Sequence, residues 1–419
     1  MPGAGTRPAI TTADPPPARL LDVTRLASRA GRGLTGVDRV ERAYLSHLLS
    51  LPRPVYGLAR TAIGFVVLDR DGLTGLMRRI DGRMPWGPPD AVARLSRRLT
   101  PMRRRADADL RRLAWASASR FGLRWLLRRI LPPGTSYVNV GHSNLTPRVL
   151  RAVRGIRGSR IAVMIHDTIP LDWPQFQREG TVDRFRILLR TAGQGADLVI
   201  ANSRQTAGDL DRWFATLGIE VPVLPALLGV DVPAPVPGDL PPGMPPGKPY
   251  FVCLGTIEPR KNHALLLDVW QDLDSAMPGR CPGLLICGSR GWRNEDVFAR
   301  LDALPPDGPV RELTGLSDGA VAALLQGAAG LLQPSLAEGF GLPCAEAAAL
   351  QTPVICSDLP VYREMLEDIP VYLPPGDRYS WLRTIRKITE ADTGQRRTTA
   401  GGSDLPTWRM HFKIVLSAI

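Results

Sequence analysis

No run of eighteen or more apolar residues occurs in this chain, so no helix is expected to span a bilayer. Cysteine is scarce, and all five (Cys253, Cys281, Cys287, Cys344, Cys356) lie in the second half, odd in number and with no C-x-x-C pair. Histidines do not cluster at metal spacing either, so no structural metal is expected and the thiols read as buried and free, in a reducing cytoplasm. The opening MPGAGTRPAITTADPPPARL has no apolar core of the kind a secretory signal needs. Its Pro, Gly and Thr content reads as a disordered lead-in over 1–18. No internal repeat at a solenoid period is visible.

What is present describes a folded protein. Hydrophobic residues make up 44% and charged residues 22% of the 419 positions, ordinary for globular chains, and the length suits two domains of about 150–200 residues. The formal net charge of +13 calls for a partner. Arginine is concentrated in the stretch from 94, RLSRRLTPMRRRADADLRRLAWASASRFGLRWLLRRI, which reads as a helical insertion over about 94–131. Leu110, Leu113, Ala114, Phe121 and Trp125 fit one face of such a helix, with arginines around much of the rest. That pattern suits adsorption on an anionic membrane surface, and equally a solvated helix that packs its apolar side on its own domain. Nucleic acid is a weaker third partner, because no aromatic-basic signature or recognition-helix motif accompanies the charge.

The proline-rich PAPVPGDLPPGMPPGKP (233–249) reads as a linker. After it, apolar runs at 250–255, 283–289, 310–316, 329–335, 352–358 and 370–375 alternate with helical stretches. Strand, helix, strand at this spacing implies right-handed parallel units and a doubly wound α/β sheet over 250–395. The first half, 19–232, uses the same alphabet less regularly, with candidate strands at 19–24, 136–141, 160–166, 197–203 and 221–226. The tail at 389–406 reads as loop, and 406–419 as a last helix that crosses back to the first domain. The expected fold class is therefore two Rossmann-like domains facing a cleft, with ligands at the carboxyl ends of strands.

Several stretches place chemistry at those ends. In SLAEGFGLPCAEAA (335–348) the turn Glu338-Gly339-Phe340-Gly341-Leu342 leads into a helix opened by Pro343. Glycines there admit a ligand close to the backbone, and a helix N-terminus suits phosphate. Glu338 and Glu346, beside such a site, fit acceptance of hydrogen bonds from sugar hydroxyls. In YFVCLGTIEPRKNHALLLDVW (250–270) a strand ends at Gly255, and Arg260 and Lys261 precede a helix. Two cations in that position suit a pyrophosphate. Gly288, in ICGSRGW, also ends a strand, and Leu316 follows another. In the first half His166 and Asp167 end the run RIAVMIHD, His142 and Ser203 end two more, and Gly36 and Arg39 lie in GLTGVDRVER.

E-G-F-G-L-P-x-x-E followed by AAALQTPVI resembles the E-x7-E signature of retaining glycosyltransferases of family 4, the group 1 glycosyl transferases of GT-B fold. GTIEPRKN resembles that family's donor loop, and HDTIP its H-D-x-x-P element. Thr256 stands where some members carry a further arginine, which leaves the diphosphate to Arg260 and Lys261. The resemblance implies that Glu338 contacts the donor sugar and Glu346 the ribose. Gly255, Gly288 and Leu316 would lie at the nucleotide, and His166 near the reaction centre. Gly36, Arg39, Asp167, His142 and Ser203 would serve the first loop and the acceptor.

The implied reaction takes a sugar from a nucleotide-sugar donor, GDP-mannose or a UDP-sugar, to a glycan or lipid-linked acceptor. It proceeds with retention and without a metal or other cofactor. A cytoplasmic protein, peripheral on the inner face of the plasma membrane, fits that chemistry. The rivals are a non-catalytic nucleotide-sugar-binding protein of the same fold and a basic polyanion-binding protein.

Overall fold

The fold comes from a computed structural model that describes residues 14–96, 98–247, 249–305, 307–391 and 405–419. The chain divides into two compact units. The first comprises residues up to Thr168, Asp183–Leu228 and Trp408–Ile419, and the second Ile169–Val182 with Gly229–Thr407.

The first unit holds an eight-stranded sheet of β1 (Arg19–Asp22), β2 (Val55–Thr61), β3 (Gly64–Leu68), β4 (Ala116–Ala118), β5 (Ser136–Asn139), β6 (Arg160–Ile165), β7 (Leu198–Ala201) and β8 (Val223–Pro225). Its order is β4-β3-β2-β1-β5-β6-β7-β8, parallel except where β3 meets β2 and β4. Strands β1, β5 and β7 are buried along their whole length, as the strands of a parallel sheet covered on both faces are, although β1 and β5 carry polar residues at both ends. The β2–β3 hairpin, β4 and the helix Arg70–Ile80 are additions to the sequence reading. VYGLARTAIGFVVL carries no Asn-Gly or Asp-Gly turn signal to announce its hairpin.

The arginine-rich insertion is not one helix. Helices Pro101–Arg112 and Leu123–Ile130 are separated by β4, so Leu110 and Trp125 share no common face. Leu110 is buried, whereas Phe121 and Trp125 are exposed. Most arginines of the first helix are tied to their own domain. Arg105 donates to the carbonyls of Trp86 and Gly87, Arg111 pairs with Asp90 and Asp107, and Arg112 with Asp109.

The last helix, Trp408–Leu416, belongs to the first unit and packs on the helix Gly36–Ser50. His411 is its anchor. The carbonyl of Leu227 can only accept, so His411 Nδ1 donates to it (3.0 Å) and Nε2 accepts from the Tyr44 hydroxyl (2.7 Å). Burial pushes the His411 pKa down to about 4, so the ring is neutral. A depressed folded pKa means that the unfolded chain takes up the proton first. Stability is therefore full above about pH 6.5 and is lost as pH falls toward 4, by about 1.4 kcal/mol per pH unit from this group. Urea unfolding of His411→Phe at pH 7.5 and pH 5 should show a correspondingly shallower acid slope than the parent; equal slopes would contradict the assignment.

The second unit is a six-stranded, wholly parallel sheet of β9 (Tyr250–Leu254), β10 (Gly283–Cys287), β11 (Val310–Leu313), β12 (Gly330–Gln333), β13 (Val354–Ser357) and β14 (Val371–Leu373). The order β11-β10-β9-β12-β13-β14 reverses direction between β9 and β12, the switch point at which α/β sheets take their ligands. Phe251, Trp270, Leu284, Leu332 and Trp381 form its core. All five cysteines are buried free thiols.

Three boundaries differ from the sequence reading. The proline-rich 233–249 is not a free linker. Its turn Pro237–Asp239 packs on the helix Asp318–Gly327, with Val236 N–H donating to the Gly319 carbonyl and the Ser317 hydroxyl to Asp239. Residues 169–182 group with the second unit, where Trp292 and Arg293 donate to the carbonyls of Phe176 and Gln177, both at 2.8 Å. Of the stretch read as loop at 389–406, residues 389–391 close the helix Arg378–Ala391, and 392–404 lie outside the described residues. So do 1–13 of the lead-in, whereas Ala18 is already buried ahead of β1. No described helix is long and apolar enough to cross a membrane.

Candidate active site

The loops after β9 and β12 meet at the switch point of the second unit. After β9, Gly255 takes φ +132°, a value that favours glycine, and the stem of Lys261 lies against it. A short 3₁₀ turn, Pro259–Lys261, then delivers Arg260 and Lys261, and Asn262 with φ 57° opens the helix His263–Ala276. After β12 the chain runs through Ser335 to Glu338, and Gly341 (φ 98°) caps the helix Leu342–Ala349. Leu342 is thus the first helical residue and Pro343 the second, one position later than the sequence reading placed it.

Glu338 joins the two loops. Its Oε1 lies 2.5 Å from Lys261 Nζ and accepts from the Ser335 hydroxyl at 2.7 Å, while Oε2 accepts from Arg260 Nη1 at 2.9 Å. Arg260 also pairs through Nε with Glu258 (2.7 Å) and donates to the Ala337 carbonyl (2.9 Å). Burial alone would raise the Glu338 carboxyl. The Lys261 ammonium and Arg260 guanidinium, with hydrogen bonds from Lys261 and Ser335, outweigh it and hold the group well below the usual carboxylate range. Glu258 goes the other way, raised by burial against the pull of Arg260 and Lys261. Two carboxylates and two cations, mostly withdrawn from water, thus form a preset electrostatic cluster. Oε2 keeps a lone-pair site for one more donor, such as a hydroxyl.

The other residues expected at this site spread around the cluster. Gly339, Phe340 and Gly341 are buried, Leu342 half-buried, and Glu346 is buried on the opening turns of its helix. Gly288 ends β10 directly against Gly255. Leu316 is half-buried beyond β11. Glu258 and Ser335 were missed by sequence reasoning. Glu258 stands two residues before Arg260 in the donor loop, and that proximity was the available signal.

Residues 241–401 match the glycosyl transferases group 1 family. The match covers the whole switch-point site and the six parallel strands. The serotype-specific mannosyltransferase WbdA of Escherichia coli is 31% identical over 242 residues, 54% of this chain and 29% of that protein. The O-antigen chain mannosyltransferase B of Escherichia coli is 31% identical over 153 residues, 36% of this chain and 40% of its own. The chain thus spans less than half the length of these relatives. Sucrose-phosphate synthase from Thermosynechococcus elongatus superposes with a TM-score of 0.62 at 16% identity, covering 96% of each chain. That likeness shows the fold, two Rossmann-like α/β domains of the GT-B class.

Outside residues 241–401, the first unit has its own switch point, between β1 and β5. His142, following β5 with φ 61°, bonds through Nε2 to the Met164 carbonyl (2.8 Å), and His166, following β6, through Nε2 to the Val140 carbonyl (2.7 Å). Each ring therefore carries its proton on Nε2. Burial lowers their pKa values to about 3 and about 4, so both are neutral and Nδ1 is an acceptor. Asp167 is half-buried beside them. Ser203, following β7, accepts from Thr206 N–H through its hydroxyl (3.0 Å) as the cap of the helix Arg204–Leu217, and it is fully buried. Gly36 is the first residue of its helix, whose N-terminus is already served by Asp38. That carboxylate takes the N–H and hydroxyl of Thr35 and pairs with Arg25 and Arg29. Arg39 is half-buried one residue further on.

A buried acidic pair here was not anticipated. Asp22, at the end of β1, accepts from Tyr137, Asn144 and Thr24 N–H, and burial raises its pKa to about 6. Glu41 accepts from Leu26 N–H and is raised well above the ordinary range by burial and by Asp22.

Proposed function

We propose that the protein is a retaining hexosyltransferase that moves a sugar from a nucleotide-sugar donor to a glycan or lipid-linked acceptor in bacterial cell-surface polysaccharide synthesis. The observation that carries this is Glu338 held between Lys261 and Arg260 at the β9/β12 switch point, within the residues that match the group 1 family. The cations accept the charge of the departing diphosphate, together with the helix N-terminus after Gly341. Glu338 orients the cations and accepts a sugar hydroxyl. A carboxylate held so far below its ordinary pKa is a poor base, so Glu338 does not deprotonate the acceptor. The acceptor's proton goes to the leaving phosphate on the same face of the sugar, with retention, and Glu346 holds the ribose. The neutral His166 and His142 offer Nδ1 to hydroxyls at the first unit's switch point. The positive charge of Lys261 and Arg260 lets this chemistry proceed without a divalent metal.

The mannosyltransferase relatives favour GDP-mannose over a UDP-sugar as donor. The reaction is placed in the cytoplasm, at the inner face of the plasma membrane. A thermal-shift and donor-hydrolysis panel of GDP-mannose, UDP-glucose and ADP-glucose tests the reading. One donor at a hundred times its Kd should stabilise the fold by about 2.7 kcal/mol. It should also release nucleoside diphosphate with EDTA present. Silence from every donor would sink the transferase reading, and activity lost to EDTA and restored by Mn²⁺ would sink its metal-free form.

A further inference from the structure

From Leu110 to His166 the chain contains eleven arginines and not one acidic residue. The fold gathers part of this run onto one surface of the first unit. Helix Leu123–Ile130 packs on helix Pro147–Val153 and turns Leu123, Leu126 and Leu127 inward. Its other side is left open: Phe121, in the turn before it, is 75% exposed and Trp125 63% exposed. Arginines frame both rings. Arg120 and Arg148 lie over Phe121 at 4.8 and 4.7 Å from its centroid, and Arg129 over Trp125 at 5.1 Å. Arg124 and Arg128 are exposed beside them. None of these five arginines forms an ion pair among the described residues, unlike those of the preceding helix, whose Arg111 and Arg112 are bound to aspartates.

We propose that this face, rather than the longer insertion from 94, docks the protein on an anionic lipid bilayer, with Phe121 and Trp125 seated at the headgroup level. Unpaired arginines match the charge of an anionic leaflet. The two aromatic rings explain what charge alone does not, because large apolar side chains standing in water gain from entering an interface. A duplex nucleic acid would match the arginines equally well, but it would leave the rings without an apolar partner. The proposal gives the membrane placement above its residues, and it stands on the first unit alone, apart from the donor site.

Co-sedimentation of the full chain with vesicles tests it. Binding is expected to equimolar phosphatidylcholine and phosphatidylglycerol, falling with salt, and to be absent with phosphatidylcholine alone. Combined Arg124→Gln, Arg128→Gln and Arg129→Gln should weaken the partition about a hundredfold. Phe121→Ser with Trp125→Ser, which leaves every charge in place, should weaken it about tenfold or more. Both variants should keep the parent's melting temperature and donor-induced shift, so a failure here is separable from a failure of the transferase reading. Equal binding to neutral vesicles, or indifference to either variant, overturns the proposal. So does displacement by duplex DNA that depends on the arginines and ignores Phe121 and Trp125, which would mark a general polyanion surface.

Discussion

Lys261→Met is expected to cut glycosyl transfer about 10²–10³-fold, as loss of one preorganised charge stabiliser does elsewhere, while the second unit stays folded. Lys261 is 6% exposed, its stem lies against Gly255, and its ammonium sits on Glu338 Oε1. Methionine keeps the stem and removes only the charge. Cutting one side of a buried ion pair usually costs about 3–5 kcal/mol because a charge is left stranded. Here Glu338 would keep Arg260 on Oε2 and Ser335 on Oε1, so a cost nearer 1–3 kcal/mol is expected. Activity and stability therefore separate: kcat/KM should collapse while the urea midpoint moves modestly. Glu338→Gln should also remove transfer, since an amide cannot hold two cations in register. Turnover within about tenfold of the parent in Lys261→Met would contradict the role given to the cluster.

The second unit was legible because its strands are short apolar runs bounded by Gly and Pro, buried on both sides, at regular spacing. The polar residues interrupting the loops could then be assigned to the carboxyl ends of strands, which located Lys261, Arg260 and Glu338. That these three bind one another was not legible. Glu338 was expected to await a sugar, and the contact that closes on it comes from residues 77 and 78 positions away. Sequence spacing carries no information on a pairing of that range.

In the first unit β1, β5, β6, β7 and β8 were legible as the candidate strands at 19–24, 136–141, 160–166, 197–203 and 221–226, whereas the β2–β3 hairpin, β4 and the arginine-rich stretch were not. The charge pattern of 94–129 reads as one basic amphipathic surface, yet Asp90, Asp107 and Asp109 neutralise its first half. A helical face drawn from Leu110 to Trp125 assumes an unbroken helix, and β4 breaks it. Likewise Asp22 and Glu41, nineteen residues apart in the chain, act on each other only because the helix Gly36–Ser50 carries Glu41 to the end of β1. Composition identified the charge, and only the fold could say which arginines remain unpaired.

Among the glycines at strand ends, Gly288→Ala should have the largest effect on the donor site. A Cβ there would fall 1.9 Å from the carbonyl oxygen of Gly255 and 2.7 Å from its carbon. Both obstacles are backbone, and that backbone is pinned, since Gly255 N–H donates to Cys287 (3.1 Å) and Gly288 N–H to Leu313 (3.0 Å). Gly141→Ala has a nominally closer clash, 1.8 Å, but with the far end of the Glu41 side chain, which can swing aside. Gly218 has open space around it, so alanine there meets only the strain of φ 66°. Overpacking a core usually costs about 1–3 kcal/mol, and a collision with pinned backbone belongs at or above the top of that range. The displacement would pass directly to Gly255 and so to the Lys261 stem lying against it. Gly288→Ala should therefore lower the unfolding midpoint and abolish the donor-induced thermal shift together, whereas Gly218→Ala should lower the midpoint alone. A Gly288→Ala protein that still shows the parent's donor shift would mean that the β9 and β10 ends do not set the position of Lys261.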